Sequence, residues 1–95
     1  MKLELNGNWR ETSVVDAWTG RVKPTGYEWV YRDADGGGIR IYHTLTEDCT
    51  WLHVNAHSVY TDGHEERVFT LNTRITSQED FDNIITQIHN RYARR

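Results

Sequence analysis

The sequence predicts an α+β domain, an antiparallel β-meander of about four to six strands with one C-terminal amphipathic helix packed on one face. Short segments rich in Val, Ile, Thr, Trp and Tyr alternate with turn signals through residue 75. Beyond that point, apolar residues recur at spacings of three and four. Ninety-five residues hold one core. We therefore expect a single domain over residues 1–95, with strands within 2–75 and a helix at about 77–93.

Strand pairing follows from the turns, because residues that face each other in a hairpin point to the same side of the sheet. The turn residues are Asp35-Gly36-Gly37, Glu47-Asp48 and Asp62-Gly63. The pairs they predict are Trp29–His43, Tyr31–Ile41, Ile39–Ala56, Ile41–Val54, His43–Leu52, Val54–Leu71 and Ala56–Phe69. One buried side results, and it consists of Trp29, Tyr31, Ile39, Ile41, Leu52, Val54, Ala56, Phe69, Leu71 and Ile75.

The helix is predicted from an apolar stripe and from its start signals. The stripe consists of Phe81, Ile84, Ile85, Ile88 and Tyr92. Thr76 with Glu79 matches a capping box, and Ser77 with Asp80 is an alternative frame. Either frame starts the helix near residue 77.

The first 22 residues are harder to place. Leu3 and Leu5 suggest a strand that turns at Asn6-Gly7 into a second strand. That second strand carries Trp9, Val14, Val15 and Trp18. Its position in the sheet stays open.

Composition narrows the function classes. The formal net charge is −3, which argues against a protein that coats phosphates over its whole surface. No apolar run reaches the roughly 20 residues of a membrane span, and Met1–Leu5 lacks the continuous apolar stretch of a signal peptide. We expect a cytoplasmic protein. The single Cys49 excludes an internal disulfide.

No set of residues predicts catalysis, a metal site or a cofactor. His53 and His57 lie four apart, which in a strand separates them by about 13 Å, too far to share one ion. Cys49 and His53 are likewise too distant for a nucleophile and its base. Asp33–Gly38 resembles the start of a calcium loop but lacks its later ligands. We expect no enzyme, no cofactor and no metal.

The opposite, outer side of the sheet carries mixed aromatic, basic and polar residues. The pairs predicted there are Tyr42–His53, Arg40–Asn55 and Trp51–Arg74. Tyr, Trp and Arg favour protein interfaces, and rings beside cations also favour single-stranded nucleic acid. The alternative is an ordinary solvated sheet surface, or one that the N-terminal strands cover. The residues we expect to bind a partner are Arg32, Arg40, Tyr42, Trp51, His53, Asn55, Arg74 and the loop residue Trp18.

Three function classes follow, in this order. The first is a small inhibitor or immunity-type protein that occupies a partner protein's surface. Such proteins can be encoded by phages or mobile elements, and nine Arg against two Lys suggest GC-rich coding DNA, compatible with an actinobacterial or phage source. The second is a sheet that binds single-stranded nucleic acid, and the third is a small-ligand enzyme or histidine metal protein. Homodimerisation is compatible with the first class.

Overall fold

The structure, a computed structural model, describes residues 2–33 and 38–93. These residues form one five-stranded antiparallel sheet, in the order β1-β2-β3-β4-β5, followed by one helix. The α+β meander that the sequence predicts is therefore confirmed. The elements are β1 (Arg10–Val15), β2 (Val22–Arg32), β3 (Gly38–Thr46), β4 (Trp51–Val59), β5 (Glu65–Arg74) and α1 (Gln78–Tyr92).

Helix α1 begins in the second of the two predicted frames. Ser77 is its N-cap, and the Ser77 hydroxyl accepts a hydrogen bond from the Asp80 backbone N–H at 3.0 Å. The hydroxyl of Thr76 donates instead to the Asp80 carboxylate, so the Thr76–Glu79 capping box does not form. Among the described residues, no helix has the length and apolar composition that crossing a membrane requires.

One face of the sheet, the inner face, holds the core beneath α1. All ten residues predicted for this side lie in the core cluster or pack against it, as do the five residues of the helix stripe. The cluster also includes Leu45, Cys49, Leu3 and Trp9. Because side chains alternate along a strand, the covered inner face leaves an equally large outer face.

Two histidines join α1 to the inner face. His43 is 1% exposed, and its Nδ1 lies 2.9 Å from the Trp29 carbonyl oxygen. That nitrogen must be the N–H donor, because the carbonyl can only accept. His43 Nε2 therefore accepts from His89 Nε2–H, 3.0 Å away. Burial lowers the pKa of His43 to about 4 and lowers that of His89.

The N-terminal segment differs from its prediction. Residues 2–9 form no strand. Leu3 and Trp9 are instead buried, and the Trp9 ring lies 5.7 Å from that of Phe81. Strand β1 starts only at Arg10 and forms one edge of the sheet beside β2. The turn signal Pro24-Thr25-Gly26 in the sequence does not end a strand; it is an irregularity within β2, where Pro24 has no N–H for the ladder.

The pairing of β3 with β4 is shifted by two residues from the prediction. Ile41 faces Ala56, and Leu45 faces Leu52. Glu47-Asp48 offers no residue that readily adopts positive φ, so the chain makes a wider loop in which Cys49 has φ 63°. Asp48 stabilises that loop by accepting hydrogen bonds from Thr46 and Thr50. A shift of two keeps every side chain on its predicted face.

The β4–β5 hairpin contains two irregularities that compensate each other. Its loop has three residues, not two, since Tyr60 pairs with His64 around Gly63 at φ 88°. A bulge beside His57 then restores the predicted Ala56–Phe69 and Val54–Leu71 pairs.

The β2–β3 register agrees with its prediction, with Trp29 facing His43 and Tyr31 facing Ile41. The loop residues Asp35-Gly36-Gly37, on which that prediction was based, lie outside the described residues.

Candidate functional site

The outer face is open. No outer-face residue of β3 or β4 is buried, although Ile41, Val54 and Ala56 on the opposite face are fully buried. The N-terminal segment does not cover it, because β1 extends the sheet sideways. The face is therefore accessible to a ligand or partner.

A row of basic side chains crosses four strands at one end of the outer face. The pairing places Arg32 opposite Arg40, Arg40 opposite His57, and His57 opposite Arg67. We call these four residues the basic row. With strands about 4.8 Å apart, the row spans about 14 Å. Like charges directly opposite each other destabilise a sheet, so this arrangement needs a reason other than stability.

Glu65, the first residue of β5, lies against the basic row. Its Oε2 accepts from Arg40 Nη1 at 2.6 Å, and its Oε1 accepts from the Tyr42 hydroxyl at 2.9 Å. His57 Nδ1 lies 3.2 Å from Oε1 but outside hydrogen-bond geometry, and this buried nitrogen has no hydrogen-bond partner among the described residues. The Tyr42 hydrogen bond and the Arg40 charge lower the pKa of Glu65. Glu65 is therefore an anion at neutral pH.

Arg32 and Arg67 differ from Arg40. Within residues 2–33 and 38–93, neither guanidinium has an ion pair or a hydrogen bond with a side chain. The side chain of Arg40 is only 26% exposed. The row thus offers two free cations at its ends and one occupied cation between them.

The middle of the outer face is polar. Tyr42 faces Asn55, and its ring lies edge-on to that of His57 at 5.0 Å. Asn55 Nδ2 lies 3.0 Å from His53 Nε2, while the buried Asn55 Oδ1 has no partner in residues 2–33 and 38–93. The predicted Tyr42–His53 and Arg40–Asn55 pairs are wrong because of the two-residue shift. His53 faces Thr44 instead.

An exposed aromatic ring stands at the other end. Trp51 faces Arg74 as predicted, is 41% exposed, and has the Arg74 guanidinium 5.0 Å from its ring centre. Trp51 and His57 are six positions apart along β4, which corresponds to about 20 Å of strand.

The outer face has a charge opposite to that of the whole chain. It carries five arginines and two glutamates and is net positive, whereas the chain is −3. One arginine, Arg10, is bound to Glu28 at 2.7 Å. These seven residues are Arg10, Arg32, Arg40, Arg67, Arg74, Glu28 and Glu65.

Trp18 is the predicted partner-binding residue that the structure leaves off this face. It lies in the β1–β2 loop and is 96% exposed. The Asp16 carboxylate accepts from the backbone N–H groups of Trp18 at 2.7 Å and Thr19 at 3.1 Å. These bonds also lower the pKa of Asp16. The other seven predicted residues share the outer face.

Sequence reasoning missed two residues of the site, Glu65 and Arg67. The assumed two-residue loop assigned Val68 to the outer face. In the three-residue loop, β5 is displaced by one position up to the bulge, so Arg67 faces His57 and Val68 lines a hollow with Tyr92 and Ala93. The available signal was Gly63, because glycine at the third position is typical of three-residue hairpin loops.

The described residues contain no group of three His, Cys, Asp or Glu side chains that could hold a metal ion. Comparisons with protein-family models, curated proteins and solved structures give no match.

Proposed function

We propose that the outer face binds single-stranded nucleic acid, with phosphates along the basic row and a base stacked on Trp51. The basic row is the observation that carries this proposal. Arginine suits phosphate because its planar fork donates two parallel hydrogen bonds. Exposed rings next to cations are typical of single-strand platforms, where stacking tolerates any base. A cytoplasmic location, as the sequence predicts, gives access to RNA.

Two features place nucleic acid ahead of the protein partner that the sequence ranks first. Arg32 and Arg40 form a cross-strand pair of like charges, which lowers the stability of the free sheet. A bound polyanion would neutralise both charges and remove this repulsion. The separation of the basic row from Trp51, about 20 Å, also suits an extended ligand better than a single small anion.

The first test measures salt-dependent binding of a fluorescent oligouridine of about twelve nucleotides, a length within the site sizes of single-strand binders. Each phosphate neutralised contributes about −0.7 to the slope of log affinity against log salt. Arg32, Arg67 and Arg74 should therefore give a slope of about −2 between roughly 25 and 200 mM salt. Anisotropy at each salt concentration provides the affinities.

Matched variants locate the contact. Arg32→Gln with Arg67→Gln should reduce the slope by about 1.4, whereas Arg91→Gln, an arginine on α1, should leave it unchanged. Trp51→Ala should weaken binding by about 1–3 kcal/mol through lost stacking. The absence of binding at the lowest salt concentration, or an equal loss in the Arg91 variant, would refute the proposal.

A protein partner remains the second candidate because of the β1–β2 loop. The backbone of the exposed Trp18 is fixed by its hydrogen bond to Asp16, which reduces the backbone entropy lost on binding, and Trp is among the residues most typical of interface hot spots. Val14, Val15 and Val22, on the two strands that flank this loop, are also exposed. A second copy of the chain is one such partner.

A photo-crosslinking residue at position 18 tests this candidate. We expect a defined adduct from position 18 and none from position 86, an exposed Thr on α1. Equal labelling from both positions would argue against a protein-binding loop.

The third class, a small-ligand enzyme or histidine metal protein, has no geometric support among the described residues. His53 and His57 lie opposite Thr44 and Arg40, in different cross-strand pairs of the outer face. We make no proposal for it.

A further inference from the structure

Three potential donors converge on the Glu65 carboxylate from three side chains and two strands. Arg40 and Tyr42 come from β3, and His57 comes from β4. All three side chains belong to the sheet's interior strands, whereas Glu65 is the first residue of the edge strand. The three donor residues are thus held on strands that are paired on both sides, whereas Glu65 is held on a strand that is paired on one side only.

The donor set fits a phosphate group better than it fits the carboxylate. A carboxylate has two oxygens, which bind Arg40 and Tyr42, and within the described part of the chain His57 Nδ1 is left without a hydrogen bond. A phosphate group has additional oxygens that could accept from His57, and from the neighbouring Arg32 or Arg67 of the basic row.

Stability gives little reason for this ion pair. The Arg40 and Glu65 side chains are 26% and 25% exposed, so both charges have lost much of their hydration, and this cost offsets most of what their attraction contributes to folding. The pair does, however, occupy the central cation of the basic row and reduce its charge. Its effect is therefore larger on a bound anion than on the fold.

We propose that Arg40, Tyr42 and His57 form a phosphate site that Glu65 occupies in the free protein, and that a phosphate of the bound strand displaces Glu65. This inference rests on the proposed function. No covalent bond changes; one anion replaces another on the same donors. Glu65 thereby lowers the affinity for every polyanion, and only ligands that bind Arg40, Tyr42 and His57 more strongly than Glu65 does can displace it.

The test replaces Glu65 by glutamine in the full chain. Glutamine keeps the shape and an acceptor for Tyr42 but removes the charge that holds Arg40. We expect Glu65→Gln to bind the oligouridine about tenfold more tightly at low salt, because no carboxylate then competes with the phosphate for Arg40. Glu66→Gln is the matched control, since Glu66 neighbours Glu65 but bonds to Tyr60.

A double variant identifies the cation that is released. Adding Arg40→Gln to Glu65→Gln should remove the gain in affinity, because the freed guanidinium is gone. If the gain persists without Arg40, general charge reduction explains it and the proposed site is wrong.

Inorganic phosphate distinguishes a local site from strand binding. Titrated into Glu65→Gln, it should shift the NMR signals of Tyr42 and His57 but cause smaller shifts in the wild type. Circular dichroism checks folding, and Glu65→Thr, which suits an edge strand, serves as a second charge-removing variant.

The outcomes separate the two proposals. If no variant binds the strand, the proposed function fails. If the wild type binds with the expected slope but neither Glu65 variant binds more tightly, the function stands and the displacement of Glu65 is refuted.

Discussion

The two faces of this sheet treat ionisable side chains in opposite ways. Between the inner face and α1, His43 and His89 are held neutral; they are hydrogen-bonded to each other, His43 also donates to the Trp29 carbonyl, and the Trp29 ring stacks on both. On the outer face, Glu65 is held charged by its donors. Burial removes charge from one side, while solvent and paired groups allow it on the other. The buried inner face therefore stabilises the fold, whereas the exposed outer face can bind a ligand without loss of the core.

The largest expected difference between the faces is in packing. Leu52 is fully buried, and its neighbour His53 points outward. Leu52→Ala should lower the free energy of unfolding by about 2–5 kcal/mol, whereas His53→Ala should change it by less than about 0.5 kcal/mol. Urea unfolding measures both values. Similar losses in the two variants would mean that the outer face is also packed.

The next difference is in pH dependence. The folded-state pKa of His43, about 4, lies below its ordinary value of 6.5, so the unfolded chain binds more protons between these limits. Stability is therefore complete above pH 6.5 and falls as the pH drops to about 4, by about 3 kcal/mol in total. The lowered pKa of Glu65 acts in a different window, because its contribution is lost only below its ordinary 4.5.

Urea titrations at several pH values between 7 and 4.5 test this assignment. His43→Gln should flatten the dependence in that window, and His53→Gln on the outer face should not. If the free energy of unfolding of the His43 variant depends on pH as strongly as that of the wild type, the titrating group is not His43.

The sidedness of the sheet could be predicted from sequence for a physical reason. Side chains along a strand alternate between the two faces with a period of two residues, and the predicted β3–β4 register is wrong by two residues. Ile41 and Tyr42 therefore lie on their predicted faces, although each has a different cross-strand partner. The helix could be predicted as well, because Ser77 and the apolar stripe are local signals.

The site could be predicted only in part. Its contacts depend on cross-strand partners, and these are set by loops whose hydrogen bonds are local and variable, such as those of Asp48. A one-residue change of loop length and a bulge brought Glu65 and Arg67 to the outer face. Alternation alone assigns neither residue correctly, so the basic row was visible only after the register was known.

The smallest expected effect concerns the stability of the basic row itself. Arg32 faces Arg40 across the β2–β3 ladder, and like charges in that position repel. Arg32→Gln should therefore raise the free energy of unfolding by a few tenths of a kcal/mol, up to about 1, at low salt. The gain should shrink in high salt, because exposed charges are then screened. Urea unfolding at two salt concentrations measures it.

Arg74→Gln is the control for that experiment, since Arg74 lies over the Trp51 ring and faces no other cation. It should give no gain and a small loss of the cation–π contact. If Arg32→Gln stabilises the fold and also weakens strand binding, Arg32 lowers the stability of the free protein and raises its affinity for the ligand. No such opposition is expected for residues of the inner face. If the variant is neutral or destabilising at low salt, the like-charge pairing costs the sheet nothing, and one of the reasons to assign the basic row a ligand disappears.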